Sequence, residues 1–298
     1  MTSTLTKGLI ALLRLPYWMM TGGLALLTSL AITKGALSVE IAFLSFFSMA
    51  FITSAGFALN DYFDRESDAL IKPKRPIPSG ALSLKQVVAV AVILFVVGLS
   101  LAAWINQFSL IILLIDSILL VVYSAFIKRK SGFAANILVG ILTGTAFLYG
   151  EAVTLGPNTI IPTVLPLASL SLYPIACGTI GGNILRDILS LEGDAKVGYP
   201  TLPQKIGNAN AVKTAAVFFV TTGVLAPLPY LLNQLTVYYL PPILVWSALL
   251  IYASIRLVTS ASSVQDVRKY ERLITMSMML LPLSLIIEAL SPIIGGLP

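Results

Sequence analysis

LKQVVAVAVILFVVGLSLAAWIN (84–106), followed after two residues by SLIILLIDSILLVVYSAFI (109–127), is the stretch that decides the fold. Each run approaches the ~20 apolar residues a helix needs to cross a hydrocarbon core. Lys85 at one edge and Asp116 inside the second are their only charges, and Asn106-Gln107 divides them. Outward from this pair, comparable runs fall at 9–32, 37–59, 133–153, 160–182, 211–232, 236–258 and 272–296, and Pro282 is expected to distort the last. The expectation is an all-α, polytopic membrane protein of about nine transmembrane helices. Composition agrees: 57% of the 298 residues are hydrophobic, 11% are charged, and the mean hydropathy is +0.93. A soluble domain carries roughly a quarter of its residues as charges, so lipid is the solvent for most of this chain. The run 9–32 is too long for a signal-peptide core and contains Arg14, so it reads as a first span rather than a cleaved leader.

The basic residues set the expected orientation. Lys7 and Arg14 precede or begin the first span. Arg65, Lys72, Lys74, Arg75 and Lys85 follow the second, and Lys128, Arg129 and Lys130 follow the fourth. Arg186, Lys196, Lys205 and Lys213 follow the sixth, and Arg256, Arg268, Lys269 and Arg272 follow the eighth. Only Lys34, of nineteen Lys and Arg residues, falls on the opposite side. The positive-inside rule assigns the crowded side to the cytoplasm, which puts the N-terminus inside and makes this a multi-pass protein of the cell membrane. The net charge of +6 is spread between spans rather than gathered on one domain, so no nucleic-acid partner is expected. The lone Cys177 excludes an intrachain disulfide and a Cys-rich metal site, and the absence of histidine excludes His-ligated metals and a Ser-His-Asp hydrolase.

Two acidic loops remain. After the second span the chain reads NDYFDRESD (60–68), then a basic stretch, then RPIPSG (75–80). After the sixth it reads NILRDILSLEGD (183–194), then Lys196, then YPTLPQKIG (199–207). Their common order of acids, base and prolines predicts two pseudo-repeated four-helix units within one domain, about 1–130 and 131–258, with a last helix at about 272–296. In the first loop Asn60, Asp61, Asp64 and Asp68 project within an arc of roughly 100° on a continuing helix, and in the second Asn183, Asp187, Ser190 and Asp194 lie within about 60°. Carboxylates sharing one helical face repel each other unless a cation neutralises them. Mg²⁺ takes oxygen ligands, few of them carboxylates, and completes its shell with substrate phosphates. Two such faces would clamp a diphosphate, with nearby Lys and Arg taking the remaining phosphate charge. The plain alternative is a pair of solvated acidic loops with salt bridges at helix ends.

NDYFDRESD resembles the Asn-Asp-x-x-Asp-x-x-x-Asp motif of the UbiA superfamily of intramembrane prenyltransferases. RDILSLEGDAKVGYPTLPQKIG (186–207) is similar to that superfamily's second Asp-rich motif and the segment after it, and YSAFIKRK (123–130) to its Tyr-Ser-x-x-x-Lys stretch. One departure is Ser190, where relatives often carry Asp, which leaves the role of Glu192 open. The resemblance implies helices around a central cavity, a diphosphate bound at a cytoplasmic cap, and a prenyl tail among the helices. It implies metal ligation by Asp61, Asp64, Asp68, Asp187 and Asp194, with Asn60 and Asn183 as neutral oxygen ligands or helix-end hydrogen-bond partners. Lys128 and Arg186, where the motifs place a base, are candidate diphosphate contacts. Arg129 is another, unless it serves topology and lipid headgroups. Arg75 would close over the site or remain a loop charge.

Asp116 inside the fourth span, with Tyr123 two turns later on nearly the same face, is a functional candidate because carboxylates within membranes are rarely idle. The alternative for Asp116 is a hydrogen bond to a neighbouring helix. Arg14 meets an anionic substrate or anchors the first span, and Glu288 reads as structural. The expected activity is Mg²⁺-dependent ionisation of a prenyl diphosphate and capture of the allylic cation by a membrane acceptor. NDYFD, RPIPSG and the EGD-type second motif look most like the archaeal ether-lipid branch, whose acceptor is geranylgeranylglyceryl phosphate. An aromatic acceptor such as 4-hydroxybenzoate is the alternative, and a cation-dependent transporter the remote one.

Overall fold

The computed structural model describes residues 4–156, 171–260 and 263–295, and every regular element among them is helical. The first apolar run forms two helices, α1 (Thr4–Leu13) and α2 (Pro16–Ile32), separated at Arg14, whose φ is 50°. Pro16 has no N–H to continue the ladder. Tyr17 N–H turns to the Arg14 carbonyl at 2.9 Å, and the Leu13 carbonyl it leaves is taken by the Trp18 indole at 3.1 Å and the Ser54 hydroxyl at 2.8 Å. At the break Arg14 turns inward to buried Asp61.

Helix α3 (Val39–Phe63) starts at the Ser38 cap and runs four residues beyond the expected end at 59, so Asn60 and Asp61 lie inside its last turn. Short α4 (Arg65–Ile71) carries Asp68, and α5 (Leu84–Ile105) opens on a Ser83–Gln86 capping box. The predicted division at Asn106 is present. Its side chain accepts from Ser109 N at 2.8 Å to cap α6 (Gln107–Val122) and donates to the Ala152 carbonyl at 2.8 Å. A π-helical turn, Tyr123–Ile127, carries α6 on to Lys130, and α7 (Gly132–Ala152) follows. Of the predicted span 160–182, residues 160–170 lie outside the described residues. The rest gives the turn Tyr173–Ala176 and the start of α8 (Cys177–Leu189).

Next come α9 (Leu191–Lys196), α10 (Leu202–Ile206), α11 (Asn208–Leu225) and α12 (Leu240–Ser260). The last expected span begins earlier than read. Helix α13 (Val264–Ser277) already includes Arg268, Lys269 and Arg272, and α14 (Leu280–Ala289) follows after a break at Met278–Met279. The break lies one turn before Pro282, whose ring clashes with the carbonyl four residues back. Among the described residues eight helical stretches are long and apolar enough to cross a membrane. The chain is an integral, multi-pass, all-α membrane protein.

Small residues let the helices approach closely. A Cβ on Gly22 would stand 2.6 Å from the Phe46 carbonyl, and one on Gly150 would stand 2.5 Å from that of Ala25. Ser29 also donates to the Gly150 carbonyl at 2.6 Å. Such contacts replace the hydrophobic drive that lipid cannot supply between helices. Helix α2 packs on α3, α7 and α14, so the last helix returns to the first. Fully buried Glu288 on α14 fastens this closure. It pairs with Lys34 and accepts from both the N–H and the hydroxyl of Thr236 at 2.8 Å. Large apolar side chains such as Val92, Ile93, Val96 and Trp104 stay on the outer surface, where lipid meets them.

Candidate active site

The end of α3 and the following turn bring three carboxylates inside the protein. Asp61, Asp64 and Asp68 are 2%, 4% and 3% exposed. Burial of three like charges is tolerated only with counter-charges, and each has its own. Asp61 Oδ1 receives Arg14 at 2.5 Å and also Arg75. Asp64 Oδ2 pairs with Lys128 and accepts from the Asn60 amide at 2.9 Å. Asp68 has Lys72 at 3.8 Å and Arg75 at 3.9 Å. Arg14, Asn60, the three aspartates, Arg75 and Lys128 therefore form one cluster built from α2's entry, α3, α4, the loop after it and the end of α6. Burial is the largest influence on the Asp68 carboxyl and holds it above the ordinary carboxylate range, against the opposing pull of Lys72.

The second motif meets this cluster through Tyr199. Its phenol donates to Asp64 Oδ1 at 2.8 Å and lies 2.9 Å from the Ser67 hydroxyl, while its backbone N–H donates to the Asp194 carbonyl at 3.0 Å. Burial raises the phenol above its usual range, so it stays protonated and able to donate. Half-buried Asp187 on α8 accepts from the Asn136 amide of α7 at 2.7 Å. Tyr123 lies on the π turn that continues α6 towards Lys128. The two acidic motifs thus converge at one end of the helices.

Other residues singled out in the sequence lie apart or face elsewhere. Exposed Arg186 turns to Glu271 of α13 at 3.2 Å and to Asn183 Oδ1 at 3.3 Å. Asp194 accepts from the Ser190 hydroxyl at 2.6 Å. Arg129 donates to the Phe63 carbonyl at the end of α3. Asp116 lies roughly 10 Å deeper along α6 than Tyr123 and accepts from Thr145 of α7 at 2.8 Å, the helix-to-helix bond read as its alternative. Tyr199, Asn136, Lys72 and Glu271 were not picked out by the sequence pattern. Only Tyr199 carried a signal, as the one aromatic hydroxyl inside the segment resembling the second motif.

The donor chemistry suits a hard cation. Every candidate ligand is a carboxylate or amide oxygen, and Asp61 Oδ2 is buried with no hydrogen-bond partner. Among the described residues no three acids stand together at metal-holding separation, and Arg14, Arg75, Lys72 and Lys128 pair with the three aspartates.

Buried acids and bases gathered at one end of an apolar helical bundle can hold an anion beside apolar side chains. Residues 19–281 match the UbiA prenyltransferase family. The chain belongs to that family and is a prenyltransferase. It is 35% identical over 227 residues to the digeranylgeranylglyceryl phosphate synthase of Natronomonas pharaonis, covering 76% of this chain and 79% of the relative. It is 36% identical over 231 residues to that of Methanopyrus kandleri, covering 78% and 81%. A solved structure of digeranylgeranylglyceryl phosphate synthase superposes with a TM-score of 0.81 at 27% identity, over 97% of this chain and 100% of the other. A UbiA homologue from Archaeoglobus fulgidus bound to DMAPP and Mg²⁺ shares the fold, with a TM-score of 0.70 at 20% identity over 95% and 99% of the two chains.

Proposed function

We propose that this enzyme transfers a geranylgeranyl group from its diphosphate to the free hydroxyl of geranylgeranylglyceryl phosphate, an ether-forming step in membrane-lipid synthesis. The observation that carries this reading is the similarity to digeranylgeranylglyceryl phosphate synthases over about three quarters of the chain. The concentration of bases near the acids suits two phosphorylated substrates meeting at one place. On this reading the site faces the cytoplasm, the side to which the positive-inside rule assigns all but one of the basic residues.

Asn60, Asp61, Asp64, Asp68, Asn183, Asp187 and Asp194 would hold Mg²⁺. Bound there, it would neutralise charge developing on the departing pyrophosphate. Lys128, Arg14 and Arg75 add fixed positive charge at the same place, and Arg186 joins them on leaving Glu271. The C1–O bond to diphosphate breaks, the acceptor oxygen bonds to C1, and the hydroxyl proton leaves with pyrophosphate, a carboxylate or water. Surrounding apolar side chains keep water from the allylic cation. Purified protein in lipid, given labelled geranylgeranyl diphosphate, Mg²⁺ and a panel of acceptors, tests the assignment. A product with the mass of digeranylgeranylglyceryl phosphate is expected, and a prenylated aromatic acid in its place would overturn it.

Proton competition gives a second test. Asp68 binds its proton more readily than an ordinary carboxylate, and Mg²⁺ needs the deprotonated form. The Mg²⁺ concentration for half-maximal turnover is therefore expected to climb as pH falls, beginning above the usual aspartate range. A requirement that stays flat down to the ordinary carboxylate range would remove Asp68 from the metal set.

A further inference from the structure

Tyr199 follows the acids of the second motif in the chain, and its phenol touches the central carboxylate of the first. A carboxylate on its own turns about a broad, roughly two-fold torsion. Asp64 is denied that freedom. Its Oδ2 is held by Lys128 and Asn60, and its Oδ1 by Tyr199 at 2.8 Å. Lys128 also lies 5.3 Å from the centre of the Tyr199 ring, so the phenol packs against the base that holds the other oxygen. At the backbone, Tyr199 N–H is fixed to the Asp194 carbonyl of the second motif.

We infer that Tyr199 is a positioning residue: by donating to Asp64 Oδ1 it fixes the plane of that carboxylate and ties the first acidic motif to the second. The inference rests on the reading of Asp64 as a metal-holding residue. With the plane set beforehand, binding at either motif need not order the other, and ligand groups already in place lower the cost of binding. Ser67 plays the lesser part, since its hydroxyl is 2.9 Å from both the phenol and the Asp64 carbonyl and leaves the Tyr199–Asp64 bond intact when removed.

The test uses the full chain in lipid nanodiscs. Mn²⁺ binding is followed by electron paramagnetic resonance with an unreactive thio analogue of geranylgeranyl diphosphate, alongside turnover at varied Mg²⁺. Tyr199→Phe keeps the ring and removes only the donor. It is expected to weaken Mn²⁺ binding about tenfold and raise the Mg²⁺ requirement to match, the scale of one hydrogen bond to a charged group. Ser67→Ala is expected to change both by less than about threefold, on the scale of a neutral hydrogen bond. A merely structural tyrosine would lower the thermal midpoint and leave Mn²⁺ binding by the folded fraction unchanged. Wild-type Mn²⁺ binding in Tyr199→Phe would overturn the inference, provided Asp64→Ala abolishes it. If Asp64→Ala also binds Mn²⁺ normally, the metal-site reading has failed instead.

Discussion

Asp64→Ala is expected to lower prenyl transfer by about 10³-fold or more while the protein remains folded. Asp64 stands at the meeting point of Lys128, Asn60 and Tyr199, so one substitution removes the carboxylate that all three hold. The fold should survive because Lys128 is 23% exposed and can reach water once released. Asp187→Ala is expected to act in the same direction, leaving the Asn136 amide without its acceptor. Pyrophosphate release from geranylgeranyl diphosphate, measured beside the thermal midpoint in detergent or nanodiscs, separates lost chemistry from lost folding. Undiminished release by folded Asp64→Ala would sink the assignment of the site.

Asp61→Ala is expected to show the reverse emphasis, with a large loss of stability. Asp61 is 2% exposed and is the shared counter-ion of Arg14 and Arg75, which are 18% and 23% exposed. Removing it leaves two like charges that met on a single carboxylate oxygen, a mutual repulsion that Lys128, the lone base on Asp64, does not face. Breaking a buried charge pair in this way costs about 3 kcal/mol, which should lower the unfolding midpoint clearly. Asp61→Asn keeps an acceptor of the same shape and should recover part of the loss. Arg14 also forms the break before Pro16, its carbonyl accepting from Tyr17 N–H, so the damage should extend to the α1–α2 junction. Hydrogen exchange across residues 4–20 would register it, and unchanged protection there would show that the arginines hold without their anion.

The membrane character and most helix positions were legible from hydropathy alone. Where the reading slipped, side chains explain it. Helix α3 outruns its apolar stretch because Asn60 and Asp61, too polar to count as membrane residues, are sheltered by bases from elsewhere in the chain. Helix α13 begins within a stretch read as loop, since its charges lie on one side of a strongly amphipathic helix whose other side, Val267, Tyr270 and Ile274, is buried. The cluster of acids was visible in the spacing of NDYFDRESD. The partner of Arg186 was not, because nothing near it in the chain announces Glu271, 85 positions away.

The sequence by itself determined that this chain crosses a membrane repeatedly as helices and carries two sets of acids at helix ends. Hydropathy and the three- and four-residue spacing are local properties, written in consecutive residues. Tertiary structure alone decided which base answers which acid. Arg14 meets Asp61 across 47 positions and Tyr199 meets Asp64 across 135, contacts that exist only once packed helices exclude water and leave buried charges no other partners.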